Sequence, residues 1–260
     1  MPTQLPLTTG RVTALAIGVP VSLALIGWSA LSAVAIVGGG SFQIHRSFSS
    51  ASDALSITDD NGVLTLVPSG DGQVHVDGTA HYSLVRPTID IGTTPAGASV
   101  TSSCPHAVPG PCSVDLTVAV PPRIAVTAVA DLGSITASDL GNLTLTSHLG
   151  DLQVTKVSGV VHLQDDLGQI TGVALGALDV DAVADNGDVS LGFAQVPGDV
   201  SVQDNLGSVT VTVPPGGPPY AVDAHSNLGN TSIGVATDPA STHVITITCD
   251  LGGVSVEPGG

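Results

Sequence analysis

Aromatic and basic side chains are both scarce in this sequence of 260 residues. Only three Phe, two Tyr and one Trp are present, so a hydrophobic core must be built from Val, Leu, Ile and Ala. Five Lys and Arg residues stand against 22 Asp and Glu residues, which gives a net charge of −17. A surface this negative repels phosphate groups, which excludes nucleic acid as a partner and argues against anionic lipid headgroups.

Glutamate is almost absent as well. Glu257 is the single Glu, and every acidic residue lies from Asp53 onward. Asp bonds its own backbone in turns, whereas Glu favours helices. Gly and Pro are frequent, with 32 and 18 residues, and follow no collagen-like triplet period. We therefore predict a chain that is rich in turns and poor in helix.

The sequence patterns of known catalytic sites are missing. There is no zinc-type His pair with a Glu, no phosphate-binding glycine loop with Lys and Ser, and no nucleophile elbow. We predict that the chain is not an enzyme and has no catalytic, cofactor-binding or metal-binding residues. Solenoids that cleave polysaccharides use paired carboxylates, so an enzyme of that class is kept as an alternative, with the candidate pairs Asp165–Asp166, Asp179–Asp181 and Asp185–Asp188.

One long apolar run, residues 12–37, contains no charged side chain. A helix of this length would measure about 39 Å, which exceeds the roughly 30 Å of a bilayer core. We predict a transmembrane signal anchor at 12–37, after a cytoplasmic tail at 1–11 and before a flexible stalk at 38–52. A cleaved signal peptide is the alternative, because Ala33-Val34-Ala35 resembles a cleavage site. The remaining domain, 53–258, is then placed outside the cell membrane, which the chain crosses once.

A short repeat fills the second half of the chain. Each unit is a glycine, a variable residue, and then apolar and polar residues in alternation, as in Leu149-Gly150-Asp151-Leu152. Glycine recurs at the turn because it accepts positive φ angles. The predicted turn glycines, mostly eight to eleven residues apart, are Gly133, Gly141, Gly150, Gly159, Gly168, Gly176, Gly187, Gly198 and Gly207.

Alternation with a period of two places one set of side chains inside the domain and the other in solvent. The inward set includes Leu143, Val161, Leu178 and Val200. Two units make a coil of about 18 residues, so the sequence predicts an all-β fold, a β-solenoid, preceded by the transmembrane helix. A β-sandwich of ordinary hairpins is the alternative.

Three cysteines bear on the compartment. Cys104 and Cys112 enclose a short loop, and we predict a disulfide between them, which fits a domain outside the cytoplasm. A metal site that includes His106 is the alternative, but it lacks a fourth ligand. Cys249 alternates in phase with Ile245 and Ile247, so we predict a buried thiol.

Aspartates at the predicted turns raise the question of calcium. Stacked turns would align Asp139, Asp166, Asp185 and Asp204 into one column, and a column of carboxylates could hold Ca²⁺ weakly. The glycine-rich nonapeptide of calcium-binding rolls is missing, so the prediction remains a chain without a cofactor.

The chain resembles the bacterial "putative adhesin" proteins, a domain-of-unknown-function family with a membrane-anchored β-solenoid. The resemblance rests on Gly27-Trp28-Ser29-Ala30, the block from Cys104 to Asp115 and the repeated Asn/Leu-Gly-Asp-Val units, and it covers about residues 50–258. It implies an adhesin-like scaffold that binds envelope glycans or surface proteins, and it supplies no catalytic residues. The alternative is a sensory or regulatory partner of other membrane proteins in envelope-stress signalling.

Overall fold

The structure, a computed structural model, describes residues 39–50, 52–94, 97–105 and 110–260. All regular elements in this part of the chain are β-strands. None of the described residues belongs to a helix long and apolar enough to cross a bilayer. The predicted tail at 1–11 and transmembrane helix at 12–37 lie outside the described residues.

Twenty-one short strands, joined by turns and loops, form the regular structure of the described residues. In chain order they are β1 (Gly40–Phe48), β2 (Ala54–Asn61), β3 (Leu64–Pro68), β4 (Val74–Tyr82), β5 (Thr88–Thr94), β6 (Gly97–Ser103), β7 (Cys112–Val120), β8 (Ala125–Leu132), β9 (Ile135–Ser138), β10 (Leu143–Leu149), β11 (Leu152–Thr155), β12 (Val160–Leu167), β13 (Ile170–Leu175), β14 (Asp179–Asn186), β15 (Val189–Phe193), β16 (Asp199–Leu206), β17 (Val209–Val213), β18 (Ala221–Leu228), β19 (Thr231–Ile233), β20 (Val244–Leu251) and β21 (Val254–Pro258).

The strands build two sheets that face each other. The first has eleven strands in the order β1-β4-β7-β3-β9-β11-β13-β15-β17-β21-β19, and the second has ten in the order β18-β20-β16-β14-β12-β10-β8-β2-β6-β5. From β8 onward every pairing is parallel. The prediction of an all-β chain is confirmed, and two stacked parallel sheets are the arrangement of a β-solenoid.

Each coil of the stack is one strand in each sheet. In the second sheet Val126, Leu143, Val161, Val180 and Val200 are successive partners, so neighbouring coils are 17, 18, 19 and 20 residues apart in sequence. The coil length that the repeat predicts, about 18 residues, therefore agrees with the stack, and coils lengthen gradually along it.

Aliphatic side chains fill the space between the sheets. Leu143, Leu145, Val161, Leu163 and Val200 are buried, as are their counterparts in the first sheet. One residue was assigned to the wrong side. Leu178 was predicted to face inward but is 60% exposed. Leu178 lies in the turn before β14, at the position that Gly159 and Gly198 occupy in the neighbouring coils, so the alternation that buries Val180 within the strand does not extend to it.

Antiparallel strands close the first end of the stack. β4 pairs with β7, β1 pairs with β4, and β5 pairs with β6, all antiparallel. Nine residues of β1, Gly40–Phe48, lie inside the segment that was predicted as a flexible stalk. The structure places a strand there because β4 offers an unpaired edge, and edges of this kind are covered in native sheets.

The chain reverses its stacking order at the other end. β18 and β19 form the terminal coil, and the chain then returns so that β20 and β21 insert between that coil and the coil of β16 and β17. Leu251 is therefore the direct neighbour of both Leu206 and Leu228.

The buried ladder predicts a strong contrast between two substitutions to Asp. Val200→Asp places a charge between the sheets, at a position with 0% exposure, and we expect a loss of about 3 kcal/mol or more in the free energy of unfolding. Thr144→Asp changes an exposed position on β10 and is expected to stay within about 1 kcal/mol of the unchanged chain. Urea unfolding followed by circular dichroism measures both, and equal stabilities would contradict the assigned faces.

Gly187 provides a second contrast. Its φ angle is 152°, and a Cβ there would overlap the carbonyl oxygen of Gly168 in the coil beside it. Gly187→Ala must therefore push two coils apart, and we expect a loss of about 3 kcal/mol. Gly70→Ala is the control, because its Cβ would meet no atom within 4 Å. Comparable urea midpoints for the two variants would show that the coils do not approach as closely as described.

Candidate functional site

An exposed row of leucines follows one edge of the second sheet. Each leucine ends a strand immediately before a turn glycine. Neighbours in the row lie in adjacent coils, except that the coil ending in Asn186 separates Leu167 from Leu206. Their exposed fractions run from 43% to 69%. In spatial order this leucine row consists of Leu132, Leu149, Leu167, Leu206, Leu251 and Leu228.

The turn itself does not require leucine. Asn61 precedes Leu132 in the same column, and Asn186 stands between Leu167 and Leu206. Both asparagines precede a glycine with a φ angle of 152°, as the leucines precede theirs. A polar side chain is therefore compatible with this position, and leucine there exposes apolar surface that the fold does not need.

Carboxylates border the leucine row on the strand side. Asp131, Asp166 and Asp250 occupy the position before Leu132, Leu167 and Leu251, and Asp185 occupies the position before Asn186. The corresponding position before the other three leucines holds His148, Asn205 and Asn227. Several bridge neighbouring coils: His148 Nδ1 lies 2.7 Å from Asp166 Oδ2, Asn205 donates to Asp185 at 2.8 Å, and Asn227 donates to Asp250 at 2.7 Å.

Two carboxylates, Asp151 and Asp188, border the row on its other side, two positions beyond Leu149 and Asn186. Asp151 accepts the backbone N–H of Gln169 at 3.0 Å, and Asp188 accepts that of Ser208 at 2.8 Å. Each bond joins one coil to the next, so these aspartates stabilise the turns. Their charge also adds to the negative potential around the leucine row.

The permanent cations of the described residues lie away from this edge. Arg123 and Lys156 stand at the opposite ends of their coils, and Arg123 binds Asp53 at 3.2 Å. Arg46 and Arg86 belong to the antiparallel end of the stack, where Arg86 lies over the rings of Phe42 and Tyr82. The leucine row is thus apolar surface within a negative field that no Lys or Arg of the described chain offsets locally.

A second column of aspartates lies beneath the first and is buried. Asp59, Asp165 and Asp204 have exposed fractions of 1% to 3% and share one inward position near the ends of β2, β12 and β16. The coils between them carry Ala or Ser at this position. Sequence reasoning missed these residues, because Asp at a turn gave no signal that one side chain of each Asp-Asp or Asp-Asn pair faces inward.

Burial changes the acidity of these carboxyl groups. Burial raises the pKa of Asp59 to about 6, although a hydrogen bond from Ser102 opposes the shift. Burial and the nearby charge of Asp151 raise the pKa of Asp165 to about 6. The pKa of Asp204 is also raised by burial, while the Cys249 thiol, 3.8 Å away, donates to it.

The cysteines take the states that the sequence predicted. Cys104 and Cys112 form a disulfide, with Cα atoms 5.9 Å apart. The bridge lies next to Asn61, whose side chain donates to the Cys112 carbonyl at 2.6 Å, so the disulfide loop borders the first end of the leucine row. Cys249 is free and buried, and burial raises the pKa of its thiol.

The aspartates that were proposed as calcium ligands do not share one column. Asp166 and Asp185 occupy corresponding positions outside the second sheet, whereas Asp204 belongs to the buried column and Asp139 lies in a turn at the opposite edge. The prediction of a single column was wrong because consecutive residues of a strand point to opposite faces. Among the described residues, no three His, Cys, Asp or Glu side chains are close enough to hold a metal ion.

Of the carboxylate pairs considered for polysaccharide cleavage, Asp165–Asp166 is divided between the two faces of the sheet. Asp165 is buried while Asp166 is partly exposed, so the two side chains leave the strand in opposite directions. Asp181 lies 3.6 Å from His162 of the neighbouring coil, and Asp185 and Asp188 each bind the next coil.

The nine predicted turn glycines fall into two groups at opposite edges of the stack. One group follows the leucine row in a continuous column, where a Cβ would overlap the backbone of the neighbouring coil; it consists of Gly133, Gly150, Gly168, Gly187 and Gly207. In the other group the surroundings vary: a Cβ on Gly176 would have no neighbour closer than 3.5 Å, whereas a Cβ on Gly159 would overlap the side-chain oxygen of Asn142. The members of this second group are Gly141, Gly159, Gly176 and Gly198.

Comparison with known proteins gives one family match. Residues 66–256 match the family model described as Toastrack DUF4097. No curated protein matches the sequence.

Several solved structures are similar in fold. A "putative adhesin" from Bacteroides fragilis is 11% identical, with a TM-score of 0.42, and the match covers 84% of this chain and 97% of that one. A "putative cell adhesion protein" from Clostridium sporogenes is 12% identical over 85% and 100% of the two chains, with a TM-score of 0.36. A "putative adhesin" from Parabacteroides merdae is 14% identical over 85% and 96%, with a TM-score of 0.37. Likeness at this level carries no argument about function.

The buried carboxyl of Asp165 predicts a pH-dependent stability. An unfolded Asp loses its proton near pH 4, whereas Asp165 in the folded chain retains its proton to about pH 6. The contribution of the protonated group to the free energy of unfolding is therefore complete below pH 4 and is lost as the pH rises through 6. Asp165→Asn removes the charge, and we expect the variant to be more stable than the unchanged chain by about 1–2 kcal/mol at pH 7.5 and not at pH 4.

Urea unfolding at both pH values measures this difference. Asp179→Asn, at the exposed start of β14, is the control and is expected to leave the pH dependence unchanged. A loss of stability in Asp165→Asn at pH 7.5 would mean that the folded chain uses the ionised carboxylate.

Proposed function

The chain belongs to the Toastrack DUF4097 family, and from that premise we propose that it is a non-catalytic, adhesin-like binding module held at the cell membrane. Its N-terminal apolar segment serves as the anchor, and the β-solenoid is displayed outside the cell. The observation that carries the binding role is the leucine row, because six exposed leucines repeat at a position where the same fold also accepts asparagine.

Rigidity supports the role of a scaffold. Each coil is joined to its neighbours by backbone hydrogen bonds in both sheets and by bonds to side chains, such as that from the Ser208 N–H to the Asp188 carboxylate. The positions of the leucines are therefore fixed relative to one another before any partner arrives. A preformed surface loses little conformational entropy on binding, which favours affinity.

Two observations support a non-catalytic role. The exposed aspartates Asp151, Asp185 and Asp188 bind turn backbone or side chains of adjacent coils, which accounts for these three residues without any reaction. The buried aspartates lie beneath the surface, where a polymeric substrate does not reach them.

The disulfide supports a location outside the cytoplasm. The Cys104–Cys112 bond closes a loop with a sequence separation of 8, and such bonds persist in oxidising compartments and are reduced in most cytosols. The 26 uncharged residues at 12–37 supply enough apolar length for the anchor.

Labelling of intact cells tests the location. Thr144→Cys introduces a thiol at an exposed position on β10, while the native Cys249 is buried and Cys104 and Cys112 are bonded to each other. In cells that express the full chain, a membrane-impermeant maleimide is expected to label Thr144→Cys and to leave the unchanged chain unlabelled.

Labelling that appears only after the cells are lysed would refute display outside the cell. Loss of the chain from washed membranes would refute the anchor. The two parts of the proposal are thus measured separately.

A further inference from the structure

We infer that the leucine row is the docking site of an amphipathic helix whose apolar stripe is bordered by Lys and Arg. This inference deepens the proposed function and rests on it, since it names the class of partner. Three properties of the row support this inference: its apolar side chains, the negative charge around it and the spacing of the leucines along the stack.

The charge around the row selects a basic partner. Asp131, Asp166, Asp185 and Asp250 border it on one side, and Asp151 and Asp188 border it on the other. A second copy of the chain would bring the same carboxylates face to face, and an anionic membrane would repel them. A glycan offers hydroxyl groups and no aliphatic side chains to cover the leucines. A protein segment with aliphatic residues between cations can cover the leucines and at the same time pair with the carboxylates that border them.

The spacing of the row selects a helix. Neighbouring strands are about 4.8 Å apart, so leucines recur at that interval along the stack. One helical turn advances about 5.4 Å, whereas alternate side chains of an extended strand are about 6.7 Å apart. A helix aligned with the stack can therefore present one apolar side chain to each coil. Its roughly 5.4 Å repeat differs less from the roughly 4.8 Å spacing of the leucines than the roughly 6.7 Å repeat of an extended strand does.

The length of the row sets the length of the helix. Six strand steps separate Leu132 from Leu228, which corresponds to about 29 Å. A helix of about 19 residues covers this distance. The row is interrupted once, at Asn186, so a small or polar residue of the partner is expected opposite that position.

The exposed aliphatic residues at the opposite edge provide a matched control surface. Leu178 is 60% exposed and precedes the start of β14, while Asn186 ends the same strand. The two positions lie on one element but at opposite edges of the sheet. A partner that recognises the leucine row binds near residue 186 and not near residue 178. A cation attracted only by the net charge of the chain is expected to approach both positions equally.

Cross-linking with a designed peptide tests the inference. The probe is a 19-residue helix with leucines on one stripe, lysines along both borders and a single central cysteine. It is mixed with the full chain, in nanodiscs of zwitterionic lipid, that carries either Asn186→Cys in the row or Leu178→Cys at the control edge. Under mild oxidation we expect the probe to form a disulfide with the Asn186→Cys thiol at least about tenfold faster.

Two changes should remove this preference. Leu167→Asn with Leu206→Asn, in the Asn186→Cys chain, converts the leucines on either side to the residue that the column already accepts, so the fold is retained and all charges remain. We expect the cross-linking rate to fall about tenfold or more. A probe with glutamates in place of the lysines is expected to react no faster in the row than at the control edge.

Several results would overturn the inference. Equal rates at the two edges, or no effect of the leucine substitutions, would show that the probe follows net charge alone. Faster cross-linking between two Asn186→Cys chains than with the probe would identify a second copy as the occupant, and protection of that thiol by added zwitterionic vesicles would identify lipid. Because maleimide labelling of Thr144→Cys on intact cells does not involve the row, it tests the proposed function independently of all these outcomes.

Discussion

The close approach of neighbouring coils at the glycine column is the constraint on which the rest of the structure depends. A Cβ on Gly168 or Gly187 would overlap the carbonyl of the preceding turn, so side chains at these positions would hold the coils apart. Only with the coils in contact can backbone hydrogen bonds form across every interval and the aliphatic residues between the sheets exclude water. Turn geometry and core burial are thus one requirement, because neither is satisfied unless each coil has a neighbour.

Local periodicity explains which parts of the fold were predictable. Alternation along a strand separates inward from outward side chains within that strand, so the burial of Leu143, Val161, Val200 and Cys249 follows from the sequence alone. The disulfide was predictable because its loop is short. Leu178 was assigned to the wrong side because it lies in the turn before β14, and a pattern of period two does not show at which residue a strand begins.

Long-range pairing explains what sequence reasoning missed. The insertion of β20 between β16 and β18 depends on which edge the returning chain meets, and no residue near Leu251 indicates it. The strand at Gly40–Phe48 depends in the same way on the free edge of β4. The leucine row and the buried aspartates both emerge only when the coils are stacked, since each is a set of residues from different coils that the register brings to one edge.

The buried aspartates and the exposed leucines lie at the same edge of the stack, and only the leucines present surface to a partner. Asp59, Asp165 and Asp204 are buried at a desolvation cost that raises the pKa of each, and Ala or Ser fills the same inward position in the coils between them. The leucines next to them are exposed, and Asn61 and Asn186 show that the same column tolerates an amide. Exposed apolar surface that neither the turn nor the core requires lowers solubility without stabilising the monomer. Its repetition along one edge therefore calls for an explanation outside the isolated chain, and a partner that covers it supplies one.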